Sequence, residues 1–219
     1  MTLHGNVATA PDGAHGFDCN TVLTAARAKA LRGAGFSFAI RYISRSAGLP
    51  KGDLSVAEAE RILAAGLALM PVQHVARAGW SPNEALGSAN GANAAANCRA
   101  LGFPPGVCVW LDLEGVAPDA LHADVIRYCN AWFREVTDAG YVPGIYVGGD
   151  AQLSGDELFF RLTTRHYWKS GSRVPEVAHR GYQMFQTIAP GDRIAGVEID
   201  RNVTRADRLG GRVSWLARE

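Results

Sequence analysis

Gly106-Val107-Cys108-Val109-Trp110-Leu111-Asp112-Leu113-Glu114-Gly115 is an apolar run with β-branched valines that ends in two acids and a glycine. A buried strand that delivers chemistry at its C-terminal tip has this composition. Side chains alternate faces along a strand, so Cys108, Trp110, Asp112 and Glu114 share one face. Val107, Val109, Leu111 and Leu113 share the other, which suits the underside of helices. A strand running into a solvated turn can also end in an acid. Two acids on one face, after an inward Trp and before a Gly, fit a functional site better.

Outward from this strand, the chain alternates strands and helices. Upstream strands are expected at 14–19 (ending in Asp18), 36–44 (with Arg41 and Tyr42 near the tip) and 67–75 (with Gln73 and His74). Helices are expected at about 22–33, capped by Asn20 or Thr21, and at 56–65, where Ser55 and Glu58 form a capping-box pattern. A third helix is expected at 88–101, with Asn90, Asn93 and Asn97 on a solvated face. Downstream, a strong helix at 119–139 carries Leu121, Val125, Tyr128, Cys129, Trp132, Phe133 and Val136 at helical spacing. Strands follow at 142–148, 165–171, 182–188 and 196–202, with helices at 150–163 and 203–209; residues 1–14 read as a lead-in.

Eight strands, with a helix in each of the first five connections, imply a parallel sheet. The expected fold is α/β, a compact single-domain (β/α)8 TIM barrel over residues 1–219, core about 14–210, with some late helices reduced or missing. An open doubly wound sheet is the competing architecture. No GxGxxG lies between a strand and a helix and no Walker A sequence is present, so phosphate cradling is not expected.

Composition narrows the function. With 22 Lys+Arg against 21 Asp+Glu, the net charge is +1, too weak a field for nucleic acid or an anionic membrane surface. No apolar run approaches the ~20 residues that span a bilayer. Residues 1–16 lack an apolar h-region, so the expected location at synthesis is cytoplasmic. Cys19, Cys98, Cys108 and Cys129 are scattered and expected to be reduced and buried.

In a (β/α)8 barrel the strand C-termini build the site. Here they bring Asp18, Arg41, Tyr42, Gln73, His74, Asp112, Glu114, Tyr146, Trp168, Gln186, Asp200 and Asn202 around one bowl. Acids, amides and aromatics with few cations suit a sugar: ring C–H faces stack on aromatics, and hydroxyls bond carboxylates and amides. Glycosidic cleavage needs a protonated acid at the leaving oxygen and a second carboxylate, or the substrate itself, on the other side. Glu114 is the expected proton donor, at the outermost inward position. Asp112 lies one inward step below it, about 6.5–7 Å away between Cβ atoms. Glu198 shares the face of Asp200 and is expected to pair with Arg41. Trp110 reads as barrel filling. Tyr146 and Trp168 read as either sugar stacking or packing, and Trp80 as either a sugar platform or a lid anchor.

Gly16-Phe17-Asp18, Asp112-Leu113-Glu114, Gly144-Ile145-Tyr146, Gln186 and Asp200-Arg201-Asn202, in this order, resemble the glycoside hydrolase-like barrels of the DUF1906 type, relatives of the glycoside hydrolase family 25 lysozymes. The sixth strand departs from the lysozymes' usual Trp-x-Ala-x-Tyr, reading Tyr-Trp-Lys-Ser. The resemblance spans about residues 14–203. It implies cleavage of peptidoglycan at the β-1,4 bond after N-acetylmuramic acid, with Glu114 as acid/base. It also implies that Asp18, Asp112 and Asp200 line the −1 sugar subsite, with Asp112 orienting the N-acetyl group or acting as second carboxylate. No cofactor is implied. The expected partner is bacterial peptidoglycan, with no nucleic acid, no stable membrane association and a monomeric state. A phage endolysin, reaching the wall after release through a lysis system, is the biological setting by analogy. Two alternatives stand beside this: a non-catalytic glycan-binding barrel, and a metal-dependent hydrolase using His74, Asp112, Glu114 and Asp200.

Overall fold

The computed structural model describes residues 2–189 and 191–218. In chain order the elements are β1 (Asn6–Thr9), β2 (His15–Cys19), α1 (Ala25–Gly33), β3 (Phe38–Ile43), α2 (Val56–Ala64), β4 (Ala68–Gln73), α3 (Glu84–Leu101), β5 (Cys108–Leu113) and α4 (His122–Asp138). They continue with β6 (Val142–Val147), α5 (Gly155–Phe160), β7 (His166–Lys169), β8 (Met184–Thr187), β9 (Arg193–Ile194), β10 (Val197–Glu198), β11 (Asp200–Thr204) and β12 (Ser214–Ala217).

β2 through β8 are parallel neighbours, and β11 closes the barrel between β8 and β2. The first five barrel strands are each followed by a helix. β7 and β8 are not, which matches the expected reduction of the late helices. The closing strand is antiparallel to both neighbours. The connection from β8, residues 188–199, carries the short β9–β10 hairpin in place of a crossover helix, so the chain turns at the barrel mouth and runs back down. Asp200 therefore starts its strand, yet still sits at the mouth, paired in register with Asp18.

Two apolar layers fill the molecule. Val107, Val109, Leu111 and Leu113 pack outward under the helices, and Cys108 and Trp110 point into the barrel, as the alternation predicts. Phe38, Ile40, Met70, Trp168 and Met184 join them inside. The barrel floor is closed by the β1–β12 ribbon, whose Trp215 ring lies 5.3 Å from that of Phe38. The sequence reading placed residues 1–14 in a lead-in and 203–209 in a helix. β1 instead forms within the lead-in, and residues 203–204 belong to β11, where Thr204 bonds back to Pro11 and Ala14.

The helices show local causes. α1 starts later than expected, with Thr24 Oγ1 accepting from the Arg27 amide. Ser55 caps α2, but Glu58 does not complete the box: its carboxylate turns inward to Arg41 and the Leu23 amide, both at 2.8 Å. α5 is shorter than expected, and there Ser154 and Glu157 form a full capping box. The asparagines of α3 are not a solvated face. Asn90 and Asn97 are buried, and all three bond neighbouring elements. Gly87 and Gly91 let α3 lie directly on α4: a Cβ on either would fall 2.2 Å from Tyr128 O and 2.7 Å from Trp132 O, respectively. All four cysteines are free and buried, as expected.

Candidate active site

The tip of β5 enters the mouth with Asp112 buried and Glu114 half-buried above it. Their backbone is braced. Trp80 Nε1 donates to Glu114 O at 2.9 Å, the Gly79 amide to Gly115 O at 2.7 Å, and the Gly115 amide to Gly149 O at 2.8 Å. Trp80 is thus an anchor for the acid-bearing strand, its ring edge-on to Tyr128 at 5.0 Å. Gly148 makes room for the acid itself: a Cβ there would stand 2.4 Å from Glu114 Cβ and 2.7 Å from its Oε2.

Burial pushes the Asp112 carboxyl well up, and the neighbouring Glu114 and Asp18 charges raise it further. Burial likewise raises Glu114. Asp112 Oδ1 is buried with no hydrogen-bond partner among the described residues. An unmatched buried acceptor is expensive, so this atom is suited to receive a donor from a ligand.

Asp18 is the opposite case. Its Oδ2 accepts from Gln186 Nε2 at 2.9 Å and Asn202 Nδ2 at 2.8 Å, and its Oδ1 from the Tyr42 hydroxyl at 3.2 Å. Burial still outweighs these bonds and raises its pKa to about 6. Gln186 Oε1 in turn accepts from Tyr146 OH at 2.8 Å, and Asn202 Oδ1 from Trp168 Nε1 at 2.8 Å. Asp200 borders a cavity of about 310 Å³ that also touches Asp18, Asn20, Thr21, Tyr42 and Glu198. Burial, then the charges of Glu198 and Asp192, raise its pKa.

Asp18, Tyr42, Asp112, Glu114, Tyr146, Gln186, Asp200 and Asn202 are therefore brought together. Four expected site residues, Arg41, Gln73, Trp168 and His74, fall elsewhere or act differently. Arg41 and Gln73 sit at outward positions of β3 and β4, one step out of phase with Tyr42 and Val72. Arg41 is wholly buried on Glu58 and Gly52 O. Gln73 bonds Ser44 O and Asn90 O and accepts from Trp132 Nε1, tying helices to the barrel. Trp168 is inward but only 1% exposed, so it packs against Trp110 and Tyr146 and offers no face to a ligand. His74 stands at the rim, stacked on Tyr42 at 4.7 Å and bonded to Asp53 at 2.9 Å. Glu198 pairs with Arg193 at 2.9 Å, since Arg41 faces away from it. Among the described residues no three His, Cys, Asp or Glu side chains converge to hold a metal ion.

The profile of the Rv2525c-like, glycoside hydrolase-like domain matches residues 29–209. This chain belongs to that family. Among solved structures, the Tat-secreted protein Rv2525c of Mycobacterium tuberculosis, in complex with L-tartrate, superposes with a TM-score of 0.64 at 16% identity, covering 89% of this chain and 96% of that one. An uncharacterized B. stearothermophilus protein gives 0.62 at 19% identity, with 88% and 96% covered. A bacterial lysozyme from Streptomyces coelicolor gives 0.59 at 19% identity, with 89% and 93% covered. At these identities the likeness is one of fold. No curated protein sequence matches the chain significantly.

Proposed function

We propose that this glycoside hydrolase-like barrel cleaves bacterial peptidoglycan as a muramidase, at the β-1,4 bond between N-acetylmuramic acid and N-acetylglucosamine. One observation carries the reading. Two carboxyls stand on one strand tip at the barrel mouth, both held toward the protonated form, and among the described residues neither forms an ion pair. A protonated acid beside a glycosidic oxygen is the requirement of sugar-bond cleavage. Lysozymes, an autolysin in complex with a synthetic peptidoglycan ligand and an endolysin catalytic domain share the fold, which supports this chemistry.

Glu114 donates its proton to the leaving oxygen as the C1–O bond breaks. Asp112, with its vacant Oδ1 acceptor, takes the N–H of the 2-acetamido group and turns the acetamido oxygen toward C1. That oxygen bonds C1, closing a five-membered oxazolinium ring; water then attacks C1 and opens that ring, giving its proton to the ionised Glu114 and leaving a hydroxyl on C1. The route is substrate-assisted and retains configuration. Asp18, locked by Tyr42, Gln186 and Asn202, shapes the wall beneath the sugar. The biological setting this reading favours is a phage endolysin, folded in the cytoplasm and released to the wall by a lysis system.

Dye release from labelled sacculi tests the proposal. Glu114→Gln should lower turnover by about 10²–10⁴-fold while sacculi still retain the protein. A wild type that binds sacculi and releases nothing would make the barrel a glycan binder.

A further inference from the structure

The cations near the mouth are mostly spent on acids. Arg41 pairs with Glu58, Arg193 with Glu198, Arg201 with Asp192 and Lys169 with Glu176. Arg45, two residues past the end of β3, is different. It is half-buried, has no carboxylate within ion-pair distance among the described residues, and its Nε is buried without a hydrogen-bond partner. A guanidinium is a strong donor group, and a buried donor left empty is costly.

The backbone carrying Arg45 is nonetheless firmly fastened. Asn93 Nδ2 donates to Arg45 O at 2.9 Å, and Asn97 Nδ2 to Ser44 O at 3.1 Å and Ser46 O at 2.9 Å. The Gly48 amide donates to Asn97 Oδ1 at 2.9 Å, and Gln73 Nε2 to Ser44 O at 3.2 Å. α3 and β4 thus fix three consecutive carbonyls of a surface loop, which pre-positions the one side chain among them that bears a charge. Hydrogen bonds tie this loop to the site: Gln73 Nε2 bridges Ser44 O and Asn90 O, and Asn90 Nδ2 donates to Tyr128 OH at 3.0 Å. The Tyr128 ring also backs Trp80, which holds Glu114 O. Arg45 is therefore an unpaired cation on a braced loop, three residues after the Tyr42 that bonds Asp18 at the barrel mouth.

We propose that Arg45 is a substrate-binding residue that takes a carboxylate borne by the muramyl unit, on its lactyl group or its stem peptide. An anionic substituent finds no counter-charge among Asp18, Asp112, Glu114 and Asp200, whose ionised members repel it, and needs a cation set apart from them. A guanidinium fork fits a carboxylate with two parallel bonds. The inference rests on the peptidoglycan reading of the site and names the group that orients the strand in it.

The test is equilibrium binding with Glu114→Gln as parent, so that no ligand is consumed. The probes are neutral chitotetraose, a peptide-free tetrasaccharide of alternating N-acetylglucosamine and N-acetylmuramic acid, and the same tetrasaccharide bearing stem peptides. Arg45→Gln should weaken one carboxylate-bearing probe by roughly tenfold and leave chitotetraose unchanged. Loss on the peptide-free probe identifies the lactyl carboxylate, and loss on the peptide-bearing probe alone identifies the stem. Arg45→Lys, which keeps the charge without the fork, should recover part of the loss. Equal binding of all three probes by Arg45→Gln and its parent overturns the proposal. A parent that binds none of them overturns the peptidoglycan reading as well. Should Arg45→Gln not fold, rising NaCl replaces it: carboxylate probes must weaken in the parent while chitotetraose does not, and equal salt response overturns the proposal.

Discussion

Glu114 and Asp112 were legible as a pair because strand alternation is strict, and the same rule shows why Arg41 and Gln73 were misplaced. They lie next to strand tips but on the odd positions, where an outward side chain meets helices. Proximity to a strand end is no substitute for phase. Arg45 and the bracing role of Trp80 left no pattern in the sequence, since both depend on loop paths. The raised carboxyls make two predictions. First, the donor must be protonated, so the rate should be sustained at weakly acid pH and fall as pH rises through the raised Glu114 pKa. A rate that climbs through that interval would exclude Glu114 as the donor. Second, Asp18 ionises at about 6 in the fold against 3.8 in the unfolded chain. Between those values the folded state binds more protons, so its stability falls as pH rises. The difference is on the order of 3 kcal/mol at neutral pH. Urea titrations of wild type and Asp18→Ala at pH 4 and pH 7 should show the variant's relative stability improving at the higher pH; a constant difference would contradict the shift.

At the scale of elements, the first seven barrel strands and the helices between them follow from hydrophobic period and caps. The α3 composition pointed two ways, because Gly and Asn lower helix propensity. Packing decides it. Gly87 and Gly91 admit the α4 backbone, and Asn90 donates to Tyr128 OH while Asn93 and Asn97 hold the loop after β3. A surface helix would have little use for either residue. Gly91→Ala should then destabilise the protein by about 1–3 kcal/mol, although alanine is the better helix former in isolation. Thermal unfolding measures it, and an unchanged or raised midpoint would show that α3 and α4 can move apart freely. The antiparallel closing strand was not legible, since Asp200 at a strand start and at a strand end give the same local pattern.

The whole molecule is a barrel closed at its floor and open at its mouth. At the floor, β1 and β12 bring the two ends of the chain together, and Trp215 caps the interior under Phe38. Neither strand announces itself, because each is four residues long and pairs across the full sequence. Trp215→Ala should cost about 3–5 kcal/mol, read by denaturant unfolding, without altering the site chemistry. A loss under 1 kcal/mol would mean the ribbon is dispensable. At the mouth, acids and amides converge with one unmatched acceptor on Asp112 and a half-buried proton donor, Glu114. The most direct test of that arrangement is mass analysis of fragments released from purified sacculi by wild type and by Glu114→Gln. The account predicts fragments ending in reducing N-acetylmuramic acid, from wild type alone. Fragments ending in reducing N-acetylglucosamine, or equal release by the variant, would contradict it.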